Sequence, residues 1–591
     1  MSLRMSGERG RVPVPARQPA GVWLRESSTG LAVLAVAIGA GAGLGAVAFR
    51  WLITTFTHLF SGHADYSGAG GQAHPWFPAL GPWFLLIVPV LAGLIYGPLV
   101  HKFAPEARGH GVPEVMYAVA ERGGRIPAQV TVVKALASAL TIGSGGSVGR
   151  EGPIVQIGSA LGSTFGRWFT LPEGRLRVLV ACGAAGGIAA TFNAPMAGPF
   201  FAMELILRNF AVESFGAVVL SSVTASVVGR AVFGDVAFLT LPPFTLRNPV
   251  EYLLFIVLGV VVGACGVLFT KVLYWIEDAC DWLWRGPEWL RPAVGGIILG
   301  GLLLLLPEMY GVGYPVLQNA VQGKYVFGFL LLLLIGKIVA TSLTIGIGGS
   351  GGVFAPSLFI GAMGGTAFGI AVHTWLPDLT ASPGVYGLIG MGAAFAGAAR
   401  APITAVIILF ELTGQYTIIL PLMTAIVIAT LTSKTLLGED TIYTLKLRRR
   451  GVNIDKHPET RRLARTTVAQ VLEPLPDALT EDTALRPAAR ALALSGHGIL
   501  PVIGSDGQYR GCITARAVAE ALTDERDETV GNLAELPPLV TEESNLTDAL
   551  DALTQATGTG LPVLDQKTGN LTGWITHQAI LAALHPATKP S

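Results

Sequence analysis

The sequence predicts an α-helical polytopic membrane protein, built as an inverted repeat with broken, re-entrant helices and followed by a cytosolic α/β tandem. Three observations carry that prediction. The 591-residue chain is 51% hydrophobic and only 13% charged, whereas a soluble domain carries roughly 25% charged residues. A glycine-rich segment, Thr141-Ile-Gly-Ser-Gly-Gly-Ser-Val-Gly149, returns 203 residues later (344 − 141) as Thr344-Ile-Gly-Ile-Gly-Gly-Ser-Gly-Gly352, with seven of nine positions identical. The apolar, Gly-rich bias runs from about Gly30 to Leu437, and the stretch after Thr444 has the composition of an ordinary soluble protein.

The leader, residues 1–29, carries Arg4, Arg9, Arg11, Arg17 and Arg25. Pro13, Pro15 and Pro19 interrupt it before any apolar core, which argues against a secretory signal peptide. Long apolar runs follow at Leu31 to Leu59, Trp83 to Val100, Tyr252 to Tyr274, Val326 to Ile345 and Ile403 to Leu437. Others, such as Val178 to Ala190 and Pro356 to Ala371, fall short of the ~20 residues that a simple span needs. Breaks at membrane depth are tolerated only where they are buried in protein or line a cavity. Breaks at matching places in two halves point to a transport site.

A second match supports the duplication. Phe192-Asn-Ala-Pro195 and Ala399-Arg-Ala-Pro402 are each followed nine residues later by a glutamate, Glu204 and Glu411. The membrane domain is thus read as residues 30–445, with half-repeats of about 30–244 and 252–444. An odd number of crossings in each half would invert one copy relative to the other. Lys446, Arg448, Arg449 and Arg450 follow the last span. With the basic leader they place both termini in the cytoplasm by the positive-inside rule, which requires an even number of crossings.

The tail is duplicated as well. Leu479-Thr-Glu481, Leu500-Pro-Val502 and Gly511-Cys-Ile-Thr514 recur as Val540-Thr-Glu542, Leu561-Pro-Val563 and Gly573-Trp-Ile-Thr576. Each copy alternates an amphipathic helix with short β-branched strands. The copies are assigned to 467–527 and 528–587, with residues 446–466 as the linker. Cys182, Cys265, Cys280 and Cys512 show no metal or disulfide spacing, and the net charge of +1 gives no reason to expect nucleic acid.

The chemistry resides where the two glycine loops diverge. Gly149 is followed by Arg150-Glu-Gly-Pro153 and Gly352 by Val353-Phe-Ala-Pro356. A glycine-rich turn that opens a helix presents free backbone N–H groups and the positive end of the helix dipole, and so attracts anions. Two such turns converging at the midplane would hold an anion without a full positive charge and could still release it. Glu151 is an ionisable residue among apolar ones, a costly placement that marks functional sites. Its carboxylate can mimic the anion, occupy its place, and vacate it on protonation or rotation. The alternatives are glycines that serve only close helix packing and a structural Arg150–Glu151 contact.

These residues closely resemble the CLC family of chloride channels and proton/chloride exchangers. Gly149-Arg-Glu-Gly-Pro153 and Gly352-Val-Phe-Ala-Pro356 match two of the family's motifs. Gly109-His-Gly-Val-Pro113 matches a third, and Tyr443 in Ile442-Tyr-Thr-Leu445 a fourth. The tail is similar to a pair of CBS domains, so the expected fold is the CLC type with a CBS tandem. The resemblance implies a homodimer with one anion pathway per subunit, embedded in a bacterial inner (cell) membrane, with chloride as substrate and no cofactor of its own. It makes Glu151 the external gate. It assigns anion contacts to His110, Gly149, Arg150, Gly352, the amides of Val353 and Phe354, and the hydroxyl of Tyr443. Lys134 would raise the local positive potential without touching the ion.

Two departures bear on mechanism. His110 stands where the family has a serine that donates its hydroxyl to the anion. An imidazole can donate one N–H but changes charge near neutral pH, which leads to the hypothesis that His110 makes anion affinity or gating pH-dependent. The second departure is Glu204-Leu205, where many exchangers have two glutamates, the second being the internal proton entry. Leu205 cannot carry a proton, and the sequence therefore leans to a passive chloride channel, with a proton/chloride antiporter as the alternative.

The CBS resemblance suggests an adenine nucleotide ligand. Thr514 and Thr576 are present, yet the usual ribose-binding Asp positions are Ala517 and Ala579, so a dimerisation or gating role stands beside nucleotide binding. A more remote alternative is an intramembrane enzyme with Glu151 as acid or base, for which the sequence offers no nucleophile or metal spacing. The Gly152-Pro153 flank of Glu151 is that of chloride-type rather than fluoride-selective members.

Overall fold

The computed structural model describes residues 20–234, 248–454, 458–556, 558–566 and 568–584. The leader arginines Arg4, Arg9, Arg11 and Arg17, the end of the first half-repeat, part of the linker and the last residues of the second tail copy lie outside the described residues. The chain divides into two compact units, one ending at Val452 and the other beginning at Asn453.

The first unit is helical, and among the described residues, after a short helix Ala20–Glu26, its main helices fall into two sets of eight in the same order. The first set is α1 (Ser28–Ser61), α2 (Phe84–Phe103), α3 (Val112–Glu121), α4 (Gln129–Gly143), α5 (Glu151–Trp168), α6 (Glu173–Phe192), α7 (Ala197–Phe201, continued by a π turn Ala202–Leu207) and α8 (Val212–Phe233). The second is α9 (Glu251–Leu283), α10 (Arg291–Leu305), α11 (Tyr314–Val321), α12 (Phe327–Gly346), α13 (Phe354–Trp375), α14 (Pro383–Ala399), α15 (Pro402–Thr413) and α16 (Ile419–Leu437). A last short helix, α17 (Thr444–Arg449), follows Tyr443. Among the described residues, eight helices are long and apolar enough to cross a membrane.

Two expectations about segment breaks are corrected. The apolar run Ile403 to Leu437 is not one segment: α15 ends at Thr413, and Gly414 closes it in the left-handed conformation at φ 64°, a backbone geometry that glycine adopts without a Cβ penalty. Conversely, the runs centred on Val178 to Ala190 and Pro356 to Ala371 belong to continuous helices of 20 and 22 residues. The polar residues at their ends hid their true length. The breaks that matter fall at the glycine loops between α4 and α5 and between α12 and α13.

The halves are internally equivalent in their packing. Gly158 on α5 faces Gly183 on α6, and a Cβ on either would collide with the other's carbonyl oxygen. Gly361 on α13 and Gly390 on α14 repeat the relationship. Such small-residue contacts let helix backbones approach closely where lipid supplies no hydrophobic drive for association.

The second unit contains two three-stranded sheets of identical topology. Strands β1 (Leu479–Thr480), β2 (Ile499–Ile503) and β3 (Tyr509–Thr514) lie in that order, parallel and then antiparallel. Strands β4 (Val540–Thr541), β5 (Gly560–Leu564) and β6 (Leu571–Thr576) repeat the pattern. The register shifts at Val502/Ile503 in one sheet and at Val563/Leu564 in the other, equivalent places in the two copies. The amphipathic helices Leu485–Ser495 and Leu546–Gln555 bury Leu485, Ala488 and Leu492, and Leu546, Ala549 and Leu553, in separate cores.

Candidate functional site

The two glycine loops meet. Gly149 donates its N–H to the Gly352 carbonyl at 2.7 Å, and Gly352 donates to the Gly149 carbonyl at 2.6 Å. The residues that align in sequence are therefore the ones that pair in space. The flanks repeat the exchange: Ser147 N–H donates to Thr344 Oγ1 at 3.1 Å and Ser350 N–H to Thr141 Oγ1 at 3.3 Å. This is a local two-fold axis, and the loops that open α5 and α13 abut across it.

Glu151 begins α5 and is 1% exposed. Its Oε1 accepts the Tyr314 hydroxyl at 2.7 Å, and its Oε2 accepts the Ala355 N–H at 3.4 Å. The carboxylate thus rests on the N-terminal turn of the helix from the opposite repeat, where orphan N–H groups and the helix dipole favour negative charge. A Cβ on Gly149 would collide with Oε2, so the glycine is what leaves room for the carboxylate. The amide it meets is that of Ala355, next to Phe354. Phe354 presents its ring to Phe395 at 4.5 Å and Phe192 at 5.4 Å.

His110 and Tyr443 are brought together. Both are 1% exposed, with rings 6.3 Å apart. The carbonyl of His110 lies against Gly152, where a Cβ would collide with it, so the loop bearing His110 packs on the first turn of the helix that Glu151 opens. Lys134 is fully buried and donates to the carbonyls of Ala107 and Gly109, each at 2.8 Å. A buried ammonium needs such acceptors to offset its lost hydration. Here they also hold the His110 loop in place.

Two cavities flank this group. One, of about 470 Å³, is lined by Tyr314, Arg50, Arg150 and Arg230 with Asp65 as its acidic residue, a balance that draws anions in. The Arg150 guanidinium lies 5.2 Å from the centre of the Tyr314 ring. The other, of about 340 Å³, is lined by Tyr274, Glu277, Arg108, Lys446 and Arg449 among others. Tyr274 touches His110 edge-on at 6.4 Å, and its hydroxyl donates to the Ile442 carbonyl at 2.7 Å. Glu151, His110 and Tyr443 therefore lie between a Tyr314 cavity and a Tyr274 cavity.

Glu204 is placed elsewhere. Its carboxylate accepts the N–H groups of Ile403 and Thr404 at 3.1 and 2.8 Å, capping α15. Glu411 returns the arrangement on Met196 and Ala197 at 2.8 and 2.7 Å, capping α7. Leu205 is 5% exposed within the π turn. In the second unit Thr514 and Thr576 cap helices through Ala517 and Ala579, and the Thr576 hydroxyl also donates to Glu473 Oε2 at 2.8 Å.

Sequence reading missed Tyr314 and Lys337, although the signal was present. Gly311-Val-Gly-Tyr-Pro315 repeats Gly109-His-Gly-Val-Pro113 202 residues on, and Lys337 lies 203 residues after Lys134. Lys337 is fully buried and donates to Ser147 Oγ, Gly311 O and Val312 O at 2.9, 3.1 and 2.9 Å. It holds the Tyr314 loop as Lys134 holds the His110 loop.

Comparisons with known proteins agree with this geometry. The sequence profile described as voltage gated chloride channel matches residues 92–434, and that of the CBS domain matches residues 531–586. A putative chloride channel protein ClcB-like of Ralstonia nicotianae is 33% identical over 423 residues, covering 71% of this chain and 97% of that protein. An H(+)/Cl(−) exchange transporter ClcA of Vibrio cholerae is 39% identical over 361 residues, 59% of this chain and 76% of that protein. A slow cyanobacterial Cl−/H+ antiporter superposes with a TM-score of 0.62 at 25% identity, covering 75% of this chain and all of the other. A eukaryotic CLC transporter superposes with a TM-score of 0.62 at 22% identity, covering 95% and 99%. With its crossed glycine loops, its buried Glu151 and these matches, the chain belongs to the CLC family of voltage gated chloride channels and transporters, and it moves chloride across a membrane.

Proposed function

We propose that this chain is a proton-coupled chloride exchanger whose gate is Glu151. The observation that carries the reading is the seat of that carboxylate: buried between two cavities, on the N-terminal turn of α13, held by the Tyr314 hydroxyl and the Ala355 amide. An ionised carboxylate there blocks an anion, and a protonated one gives up its claim on the cradle, so gate opening and proton uptake are one event. The names of the Vibrio relatives as H(+)/Cl(−) exchange transporters, at 38–39% identity, support exchange over the passive channel to which the Glu204-Leu205 pair leans. In this reading His110 and Tyr443 contact the central anion, and Lys134 and Lys337 supply fixed positive potential from opposite repeats.

The protein is further proposed to act as a homodimer in the bacterial inner membrane with both ends cytoplasmic. The Tyr314 cavity then opens outward and the Tyr274 cavity inward. For the CBS tandem, the engagement of Thr576 with Glu473 favours a role in assembly or gating over adenine nucleotide binding. The passive channel is kept as a second reading because Leu205, buried and apolar, offers no internal proton acceptor.

The deciding experiment records chloride and pH together in liposomes holding the purified protein. Protons driven uphill by a chloride gradient are expected. Chloride flux that leaves protons at equilibrium would establish the channel instead.

A further inference from the structure

Exchange requires a proton carrier between Glu151 and the Tyr274 cavity, and Leu205 is not one. We infer that His110 is that carrier, passing protons between the Tyr274 cavity and Glu151 while an anion occupies the site beside it. The inference rests on the exchange reading above and deepens it.

Four observations place the carrier. His110 is 1% exposed, and both of its ring nitrogens are buried without a hydrogen-bond partner among the described residues. A neutral imidazole has one donor and one acceptor, and leaving both unmet in a protein interior is costly. A site that keeps such a residue is built for something that comes and goes. The residue also lies between the two ends of the required path. On one side it meets Tyr274, which lines the Tyr274 cavity. On the other, its backbone packs on Gly152, next to Glu151. Finally, Glu277 stands at the cavity end with Oε1 3.5 Å from Lys446 Nζ and with Oε2 buried and unpartnered, a ready acceptor for protons arriving from water.

The charges around the ring explain coupling. Lys446 and Arg450 from α17 and beyond it, and Lys134 from α4, act on His110, while Glu114 on α3, the helix that follows the His110 loop, is bound to Arg450 at 2.8 Å. Tyr274 and Tyr443 complete its surroundings. An anion beside the ring offsets the charge of an imidazolium placed among these cations. The step balances simply. A hydronium ion reaching the Tyr274 cavity gives its proton, by way of Glu277, to the acceptor nitrogen and leaves water behind, and the imidazolium forms as chloride enters. The imidazolium then releases a proton toward the Glu151 carboxylate, which becomes neutral and frees its seat on α13. No proton crosses without an anion to stabilise the intermediate charge.

The test compares wild type with His110→Ser and His110→Gln, measuring chloride and proton movement together in liposomes. Wild type should pump protons. Both variants should move fewer than a tenth as many protons per chloride as wild type, whatever the absolute chloride rate. Coupling retained in either variant would overturn the assignment and leave the exchange reading standing. A wild type that moves no protons would overturn both. Should neither variant fold, infrared difference spectra of wild type with isotope-labelled histidine decide the matter. Chloride addition should raise a labelled imidazolium band, and a spectrum without one would refute the relay.

Discussion

Gly149 and Gly352, 203 residues apart in sequence, exchange both of their backbone hydrogen bonds at 2.7 and 2.6 Å. That reciprocal pair fixes the axis about which the two repeats are related. It also sets the N-terminus of each glycine-opened helix against the other repeat. The carboxylate of Glu151 crosses this axis to reach Ala355, and in so doing makes a symmetric scaffold asymmetric.

Tyr314 donates its hydroxyl to Glu151 at 2.7 Å, the contact that would hold the proposed gate shut. A hydrogen bond to a charged group contributes about 1.5–3 kcal/mol, so Tyr314→Phe should shift the gate toward open by roughly 10- to 100-fold. Chloride efflux from liposomes is expected to accelerate, most visibly at high pH, where Glu151 is ionised. An efflux rate equal to wild type across pH would remove Tyr314 from the gate.

The two glycines of the axis should respond differently to the same change. At Gly149 an added Cβ meets the Glu151 carboxylate, which can swing aside; at Gly352 it meets the backbone nitrogen of Gly152 at 2.7 Å. Gly149→Ala is therefore expected to fold and to mimic Glu151→Ala in flux assays, with faster or uncoupled chloride movement. Gly352→Ala should lose yield and thermal stability. Equal damage by the two, read by size-exclusion chromatography and thermal melts, would refute this asymmetry.

Glu204 and Glu411 form a matched pair of caps across the repeats. Replacing either with Gln removes charge-assisted capping worth about 0.5–2 kcal/mol. A drop of roughly 1–4 °C in the melting temperature is anticipated, with chloride and proton movement scaled down together. A selective loss of proton movement in Glu204→Gln would instead make Glu204 a proton carrier.

In the second unit, burial pushes the Cys512 thiol up to about 11, despite the Tyr509 hydroxyl 3.4 Å away. Because the thiolate is the reactive form, maleimide labelling of Cys512 should be slow at pH 7 and rise about tenfold per pH unit until the thiol titrates. Rapid labelling at pH 7 would mean that the cluster of Ile499, Cys512 and Trp574 opens readily.

His110 also gives a sign for pH dependence at the anion site. An imidazolium attracts chloride and a neutral imidazole does not, so chloride affinity should rise as pH falls in wild type and flatten in His110→Ser. Calorimetric titrations with chloride over a pH series measure this directly, and identical slopes in the two proteins would discard it.

What the sequence determined by itself was the architecture and its centre. Composition announced a membrane protein, and duplicated motifs announced two repeats and two tail copies. The lone charge in one glycine loop singled out Glu151. These features are legible because they are local: a residue type, a period, a short motif. The same logic would have reached Tyr314 and Lys337, since both sit in repeats of motifs already in hand, but a tyrosine opposite a valine does not advertise a partner 163 residues away. Only the tertiary structure could decide which oxygen meets which hydrogen. It set the Tyr314 hydroxyl on Glu151, brought the Ala355 amide to the carboxylate, committed Glu204 to capping a helix of the other half, and left His110 buried with two unanswered nitrogens between two cavities. Each of those outcomes depends on how backbones cross at a two-fold axis, and that geometry is a property of the folded chain, set by packing between segments that no local pattern joins.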